Sequence, residues 1–288
     1  MSADIDGATV LVTGAAGTVG SAVTKRLLAR GARARAAVHR HAPLDGAETV
    51  EADLTDVASL RRAVAGCDLV VHCAAAVSTD LAACQALNVD GVRNLLSAVG
   101  ERRLVHISTV SVYDFRQGLR VDEESPMWTE PLDPYGFTKA ESERLIRAAL
   151  PDAVMLRLVM VLSMHPRSYW GPLAVARAAA SDAPVVPLGA VPYVDVDNVA
   201  MAVELAATTP AARGRAYNVI DGDGDAARYM AAVYGALGKP APPVAANAPR
   251  LVVDGTRIRR ELGYAPVDRW DVFVGELASH HAQATNSA

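Results

Sequence analysis

Through the first half of the chain, short and nearly continuous apolar runs alternate with longer segments of helical spacing. The runs "TVLVT" (9–13), "ARARAAV" (32–38), "DLVVHCAA" (68–75), "RLVHIS" (103–108) and "AVMLRLV" (153–159) have the length and composition of buried strands. Between them, "VGSAVTKRLLARG" (19–31), "DVASLRRAVAG" (56–66), "LAACQALNVDGVRNLLSAVG" (81–100) and "YGFTKAESERLIRAAL" (135–150) carry apolar residues at helical intervals. Gly31 ends the first helix and Pro151 stops the last. Strands that are apolar on both faces, separated by helices, predict a parallel sheet covered on both sides. Right-handed crossovers then gather the strand C-termini along one edge, where ligands bind.

Beyond residue 160 the pattern loosens into short helices, a strand-like "AYNVI" (216–220) and the proline-rich "GKPAPPV" (238–244). The expected fold is α/β: a Rossmann-type doubly wound parallel sheet over residues 1–160, with a smaller substrate-binding region over 161–280. The stretch 191–207 is expected to pack back on the first unit, and the polar tail 281–288 to fray.

Composition narrows the function. The 288 residues carry a net charge of −4, so no basic field points to nucleic acid or an anionic membrane. No uncharged apolar run approaches the ~18 residues of a membrane span. The opening "MSADIDGATVLVTG" has no basic region ahead of its apolar stretch, so no secretory leader is expected. Three cysteines, Cys67, Cys73 and Cys84, lack metal-site spacing, and their odd number fits a reducing cytoplasm without a disulfide framework.

The first strand runs into "GAAGTVG", which places Gly14, Gly17 and Gly20 between strand and helix. Glycines there permit a tight turn, close backbone approach to a pyrophosphate and close packing of the helix on the sheet. The helix N-terminus adds partial positive charge. A dinucleotide cofactor is the expected ligand. An acid about 20 residues beyond the glycines would hold the ribose 2′-OH of NAD. His39, Arg40 and His41 stand there instead. A cation suits the 2′-phosphate of NADP. NADP(H) is therefore favoured, with NAD(H) the alternative and a solvated loop arginine the plain explanation.

In "DPYGFTKAES" (133–142), Asp133 suits a helix cap and Pro134 the first helical position. Tyr135 and Lys139 then share one helix face. A phenol, with a pKa near 10, is a poor base at neutral pH. An ammonium one turn away favours phenolate and readies the pair for proton transfer to or from a substrate oxygen. A tyrosine and lysine four apart occur by chance in many helices, so context decides. "HISTVSVYD" (106–114) ends the strand "RLVHIS" and brings hydroxyl residues to the same edge.

Together, the G-x-x-G-x-x-G loop, "ISTVSVY" and "PYGFTKAE" resemble the extended short-chain dehydrogenase/reductase superfamily. The likeness extends to "NVDGVRNLL" (88–96), "PYVDVDNVAMAVELA" (192–206) and "RRELGYAP" (259–266), and so covers nearly the whole chain. It implies a catalytic triad of Thr109, Tyr135 and Lys139, with Lys139 also holding the nicotinamide ribose. Cofactor contacts implied are Gly14, Ala16, Gly17, Thr18 and Val19 at the phosphates and His39 and Arg40 at the 2′-position. Asp53 and Leu54 are implied at the adenine, and Ala74, Ala75, Ala76 and Ser108 along the sheet edge. Asn88 is implied to hold backbone or a relay water. Homodimerisation through 81–100 and 135–150 is a further implication.

Within that superfamily the chain resembles the dihydroflavonol-reductase-like and keto-sugar-reductase branches. The expected reaction is NADP(H)-dependent reduction of a small-molecule ketone or aldehyde, with Tyr135 as proton donor. Dehydratases place an acidic pair directly after the catalytic Thr; Val110 and Ser111 stand here, so dehydration is set aside. A sugar or polyol epimerase retaining NAD shares the triad and remains the rival enzyme reading. A non-catalytic NADP(H)-binding redox sensor is the third. The loop "VMVLSMHPRSYWGP" (159–172) departs from the Val-Tyr-Gly-Pro common in epimerases. Its His165, Arg167, Tyr169 and Trp170, together with Ser111, are candidate substrate contacts. The aromatic pair either walls a flat substrate or packs the junction between the two regions. The acids of "DEESP" (122–126) are expected to be solvated.

Overall fold

The computed structural model describes residues 5–38, 44–180, 189–245 and 247–280. Its strands are β1 (Thr9–Thr13), β2 (Arg33–Val38), β3 (Glu48–Glu51), β4 (Leu69–His72), β5 (Arg103–Thr109), β6 (Arg120–Val121), β7 (Val154–Leu158), β8 (Met160–Leu162), β9 (Ala190–Asp195), β10 (Ala216–Val219), β11 (Gly222–Asp225) and β12 (Val252–Val253). The helices are α1 (Thr18–Ala29), α2 (Val57–Val64), α3 (Leu81–Cys84), α4 (Gly91–Val99), α5 (Pro134–Ala149), α6 (Pro172–Ala180), α7 (Val196–Thr208), α8 (Ala226–Gly235), α9 (Thr256–Leu262) and α10 (Trp270–Ala278).

Seven strands form one sheet in the order β10-β7-β5-β4-β1-β2-β3, and every neighbouring pair is parallel. The chain winds outward from β1 to β3, then returns to place β4 on the other side of β1. The C-terminal ends of β1 and β4 thus flank the crevice where strand order reverses, the ligand position of doubly wound sheets. Alternation along β1 explains why both faces are covered. Val10 and Val12 join one core with Val71, Val105, Leu156 and the α7 residues Val199 and Val203. Leu11 joins the opposite core with Leu60, Val70, Leu95 and Met155.

A separate apolar cluster holds the second half together, with Met160, Leu162, Tyr193, Tyr229, Trp270 and Phe273. Two links return this half to the sheet. Strand β10 pairs with β7, and α7 reaches α1 through ion pairs from Glu204 to Arg26 and Arg30 at 2.6 and 2.8 Å. Among the described residues no helix is long and apolar enough to cross a membrane.

Three elements differ from the sequence pattern. Strand β3 reads "ETVE"; it is a short edge strand with half its residues exposed, so it lacks a continuous apolar run. The helix expected over 81–100 is interrupted by a π-helical turn at Gln85–Asp90. Strand "AYNVI" does not belong to a separate unit but forms one edge of the main sheet.

Candidate active site

The phosphate loop is built by sterics. Gly14 has φ +65°, and a Cβ there would lie 2.8 Å from the backbone N and Cα of Ala74. Gly20 packs α1 onto the loop so closely that a Cβ would lie 2.2 Å from the Gly14 carbonyl oxygen. Gly17 is different, since only the Gly14 oxygen comes near its missing Cβ, at 3.2 Å. Gly17 caps α1 without a side-chain hydrogen bond, which leaves the amides of Thr18 and Val19 in an uncapped first turn. Ala15 is fully buried and Ala16 is half-buried in the loop. A strand end, a glycine turn and an uncapped twelve-residue helix fit a pyrophosphate.

The floor of the crevice is tied together by Asn88. Its Oδ1 accepts from the Ala76 amide at 2.8 Å, and its Nδ2 donates to the Ala76 carbonyl at 3.0 Å and to Thr138 Oγ1 at 3.1 Å. Asn88 lies in the π-helical turn, a distortion frequent at functional sites. It therefore braces the segment Ala74–Ala76 against α5, one residue before Lys139. The Leu54 carbonyl is held by Asn94 Nδ2 at 2.8 Å, and Asp53 Oδ1 accepts from Thr55. His39, Arg40 and His41, the residues that favoured NADP, lie outside the described residues.

Strand β5 ends at Thr109, whose Oγ1 accepts from the Ser111 amide at 3.1 Å and starts a 3₁₀ turn over Val110–Val112. Opposite stands α5. Pro134 takes its first position, as the sequence suggested, but the Asp133 carboxylate makes no capping hydrogen bond. Its backbone carbonyl accepts the first intrahelical bond, from the Phe137 amide at 2.8 Å.

The Tyr135 phenol and the Thr109 hydroxyl face one another. Burial pushes the phenol up to about 12, against the pull of Thr109. At neutral pH, Tyr135 is thus a protonated donor. Lys139 is 2% exposed, and burial brings its ammonium down to about 8 against the opposing pull of Glu143. Its Nζ donates to the Ile107 carbonyl at 2.8 Å and lies 3.0 Å from His106 Nε2. The structure therefore brings Thr109, Tyr135 and Lys139 to one crevice beside the glycine loop.

Other candidates are placed differently. Ser108 turns its hydroxyl away to Glu143 Oε1 at 2.6 Å. There it supports a fully buried ion pair, Arg157 Nη2 to Glu143 Oε2 at 2.7 Å. Arg157 also reaches Tyr113 Oη, which donates to Asn218 on β10 at 2.7 Å. Glu123, expected to be solvated, is buried and accepts from the Asn218 amide at 2.9 Å. Trp170 packs edge-on against Tyr229 of the second core, while Arg177 lies 3.7 Å over the ring of the more exposed Tyr169. His165 accepts at Nδ1 from the Arg167 amide at 3.1 Å. The stretches 192–206 and 259–266 meet at Asp221, which accepts from Asn198 Nδ2 at 2.7 Å and Tyr264 Oη at 2.5 Å.

Two residues of the site escaped the sequence reading. Gly136 lets α5 approach the Val110–Val112 turn; a Cβ there would lie 2.0 Å from the Ser111 carbonyl oxygen. A glycine in the first turn of a helix, where it costs stability, was the available signal. His106 carried none, because a histidine within a buried strand looks like any core position.

A doubly wound sheet with this loop and this hydroxyl pair defines a dinucleotide-binding protein of the short-chain dehydrogenase/reductase type. Residues 10–219 match the NAD dependent epimerase/dehydratase family, and the chain belongs to that family. It is 34% identical over 172 residues to a 4-hydroxy-2-methyl-3-oxo-4-farnesyl-3,4-dihydroquinoline-1-oxide ketoreductase of Stigmatella aurantiaca, covering 56% of this chain and 50% of that protein. The chain spans about half the length of the first curated relatives it matches. A short-chain dehydrogenase/reductase superfamily protein from Agrobacterium tumefaciens with bound NAD superposes with a TM-score of 0.75 and 26% identity, over 96% of this chain and 97% of that one. The UDP-glucose 4-epimerase of Thermus thermophilus in complex with NAD gives 0.74 and 26%, over 96% and 99%.

Proposed function

We propose that the chain is an NADP(H)-dependent oxidoreductase that reduces a ketone or aldehyde of a small molecule. The observation that carries this reading is the approach of the Thr109 hydroxyl to the Tyr135 phenol, which burial keeps protonated, one helical turn before the buried Lys139. A nicotinamide dinucleotide, when bound, supplies the hydride. Gly14, Gly17 and the first turn of α1 hold its pyrophosphate. Thr109 donates to the carbonyl oxygen and stabilises the oxyanion as it forms. Tyr135 delivers its proton to that oxygen, and the Lys139 ammonium stabilises the phenolate left behind. His39 and Arg40 select the 2′-phosphate. The ketoreductase relative acts on a cyclic ketone by its name, which supports a carbonyl substrate.

In Tyr135→Phe, NADPH consumption with a panel of ketones and aldehydes is expected to vanish while NADPH still binds. Activity like the wild type in that variant overturns the mechanism. Arg40→Ala is expected to lose the preference for NADPH over NADH; an intact preference removes Arg40 from cofactor selection.

The second reading is a sugar epimerase that keeps its cofactor, supported by the likeness to the Thermus thermophilus enzyme. Stoichiometric NAD released on denaturing the purified protein favours it. Exchangeable NADPH favours the reductase.

A further inference from the structure

Lys139 is fixed by an arrangement that reaches back to the phosphate loop. Its ammonium has three donors and no acceptor. One goes to the Ile107 carbonyl, at 2.8 Å, and one to His106 Nε2, at 3.0 Å. The third has no protein partner among the described residues. Because an ammonium only donates, His106 accepts at Nε2 and carries its proton on Nδ1.

His106 on β5 stands in strand register with His72 on β4. Their rings stack with centroids 5.2 Å apart and planes 25° from parallel. His72 Nδ1 lies 2.7 Å from Thr13 Oγ1, which also accepts from the Ala74 amide at 3.3 Å. Thr13 is the residue immediately before Gly14. A continuous line of contacts thus runs from the root of the glycine loop through two imidazoles to Lys139.

The pair carries an energetic cost beside these contacts. Both histidines are buried in the middle of the sheet, and among the described residues His106 Nδ1 and His72 Nε2 have no hydrogen-bond partner. Each buried polar atom left unpaired costs ~1–3 kcal/mol, which two aliphatic side chains would avoid. What His106 provides instead is a neutral acceptor for the ammonium.

We propose that His106 is a positioning residue: it anchors Lys139 by accepting one of its N–H groups, which leaves the third donor free for the cofactor. The proposal rests on Lys139 acting as the ammonium of the triad. The groups facing Lys139 are His106 on β5, His72 on β4, Cys73 after β4 and Glu143 one turn along α5. His106 itself is faced by Lys139 and His72, and burial holds it neutral.

The test needs no turnover. The chain has three lysines, Lys25, Lys139 and Lys239. With lysine labelled at 13Cε, the Lys139 resonance is assigned by its loss in Lys139→Met and titrated in the full-length protein. Replacing the acceptor by leucine in His106→Leu is expected to lower the Lys139 midpoint by about one pH unit or more, since the charged form loses a hydrogen bond. His106→Gln supplies an acceptor of similar reach and is expected to restore it. If His106→Leu does not fold, His106→Met fills a similar volume and carries the comparison. A folded apolar variant in which Lys139 titrates as in the wild type overturns the proposal. Failure of the Tyr135→Phe test leaves this titration unaffected, so the two readings fail separately.

Discussion

Gly136 lies against the Ser111 carbonyl with no room for a side chain: a Cβ would sit 2.0 Å from that oxygen and 2.6 Å from Asp133 Oδ2. This contact sets the distance between the first turn of α5, which carries Tyr135, and the turn that follows Thr109. Gly136→Ala gains helix propensity of up to ~1 kcal/mol yet must push α5 away from backbone that cannot yield. Overpacking of this kind costs ~1–3 kcal/mol. The expected outcome is a large loss of carbonyl reduction, tenfold or more by the order of magnitude that misplaced catalytic groups cause, with NADPH binding retained. NADPH oxidation and a binding titration on the same preparation separate the two effects.

The three loop glycines are expected to respond differently to alanine. At Gly20 the added Cβ meets the Gly14 carbonyl at 2.2 Å and the Ala15 Cα at 2.8 Å, so Gly20→Ala destabilises the folded chain by ~1–3 kcal/mol or more. At Gly17 the protein itself leaves the methyl a tight but tolerable place, 3.2 Å from one oxygen. Gly17→Ala is expected to shift stability by less than ~1 kcal/mol while weakening NADPH binding strongly, because the methyl enters the space the pyrophosphate would take. Thermal melts read the first effect, and calorimetric titration with NADPH the second. Equal loss of stability in both variants would refute the distinction.

The buried pair Arg157–Glu143 is the centre of a network that joins β5, β7, α5 and β10 through Ser108, Tyr113 and Asn218. Removing one partner strands a charge, so Arg157→Leu is expected to lose ~3–5 kcal/mol of stability. Arg157→Leu with Glu143→Leu removes both charges and is expected to recover a large part of it. Urea unfolding of the four members of the cycle gives the coupling directly. Additive losses would mean that the two charges do not stabilise each other.

What the sequence makes legible here follows from periodicity and close approach. Strands β1, β4, β5 and β7 are apolar on both faces and stand out as runs; Gly14, Gly17 and Gly20 stand out because glycines between strand and helix have few other uses. Tyr135 and Lys139 gain meaning from the strand before them. The remainder is settled by tertiary contacts that leave no local pattern. No local pattern shows that the Asp133 carboxylate leaves the first amides of α5 uncapped, or that Ser108 serves Glu143, a partner 35 positions away. Glu123 reads as a loop acid, yet it is buried against an amide 95 positions on. The Asn88 clamp depends on a π-helical turn that no hydrophobic spacing announces.

The stacked histidines predict how stability responds to acid. Burial lowers His72 from its usual 6.5 to about 3, and His106 is lowered in the same direction. Above pH 6.5 both are neutral in the folded and unfolded chains, and neither affects the balance. Below it the unfolded chain takes up protons that the folded chain refuses. Stability therefore falls as the pH drops from 6.5 towards 3. For His72 alone the slope is ~1.4 kcal/mol per pH unit across that window. His72→Asn keeps an acceptor for the Thr13 hydroxyl but cannot titrate. Its stability, measured by urea unfolding at pH 7, 5 and 4, is expected to fall less steeply than that of the wild type by about one proton's worth, ~1.4 kcal/mol per unit. Parallel curves for the two proteins would show that His72 takes up its proton in the folded chain as readily as in the unfolded one.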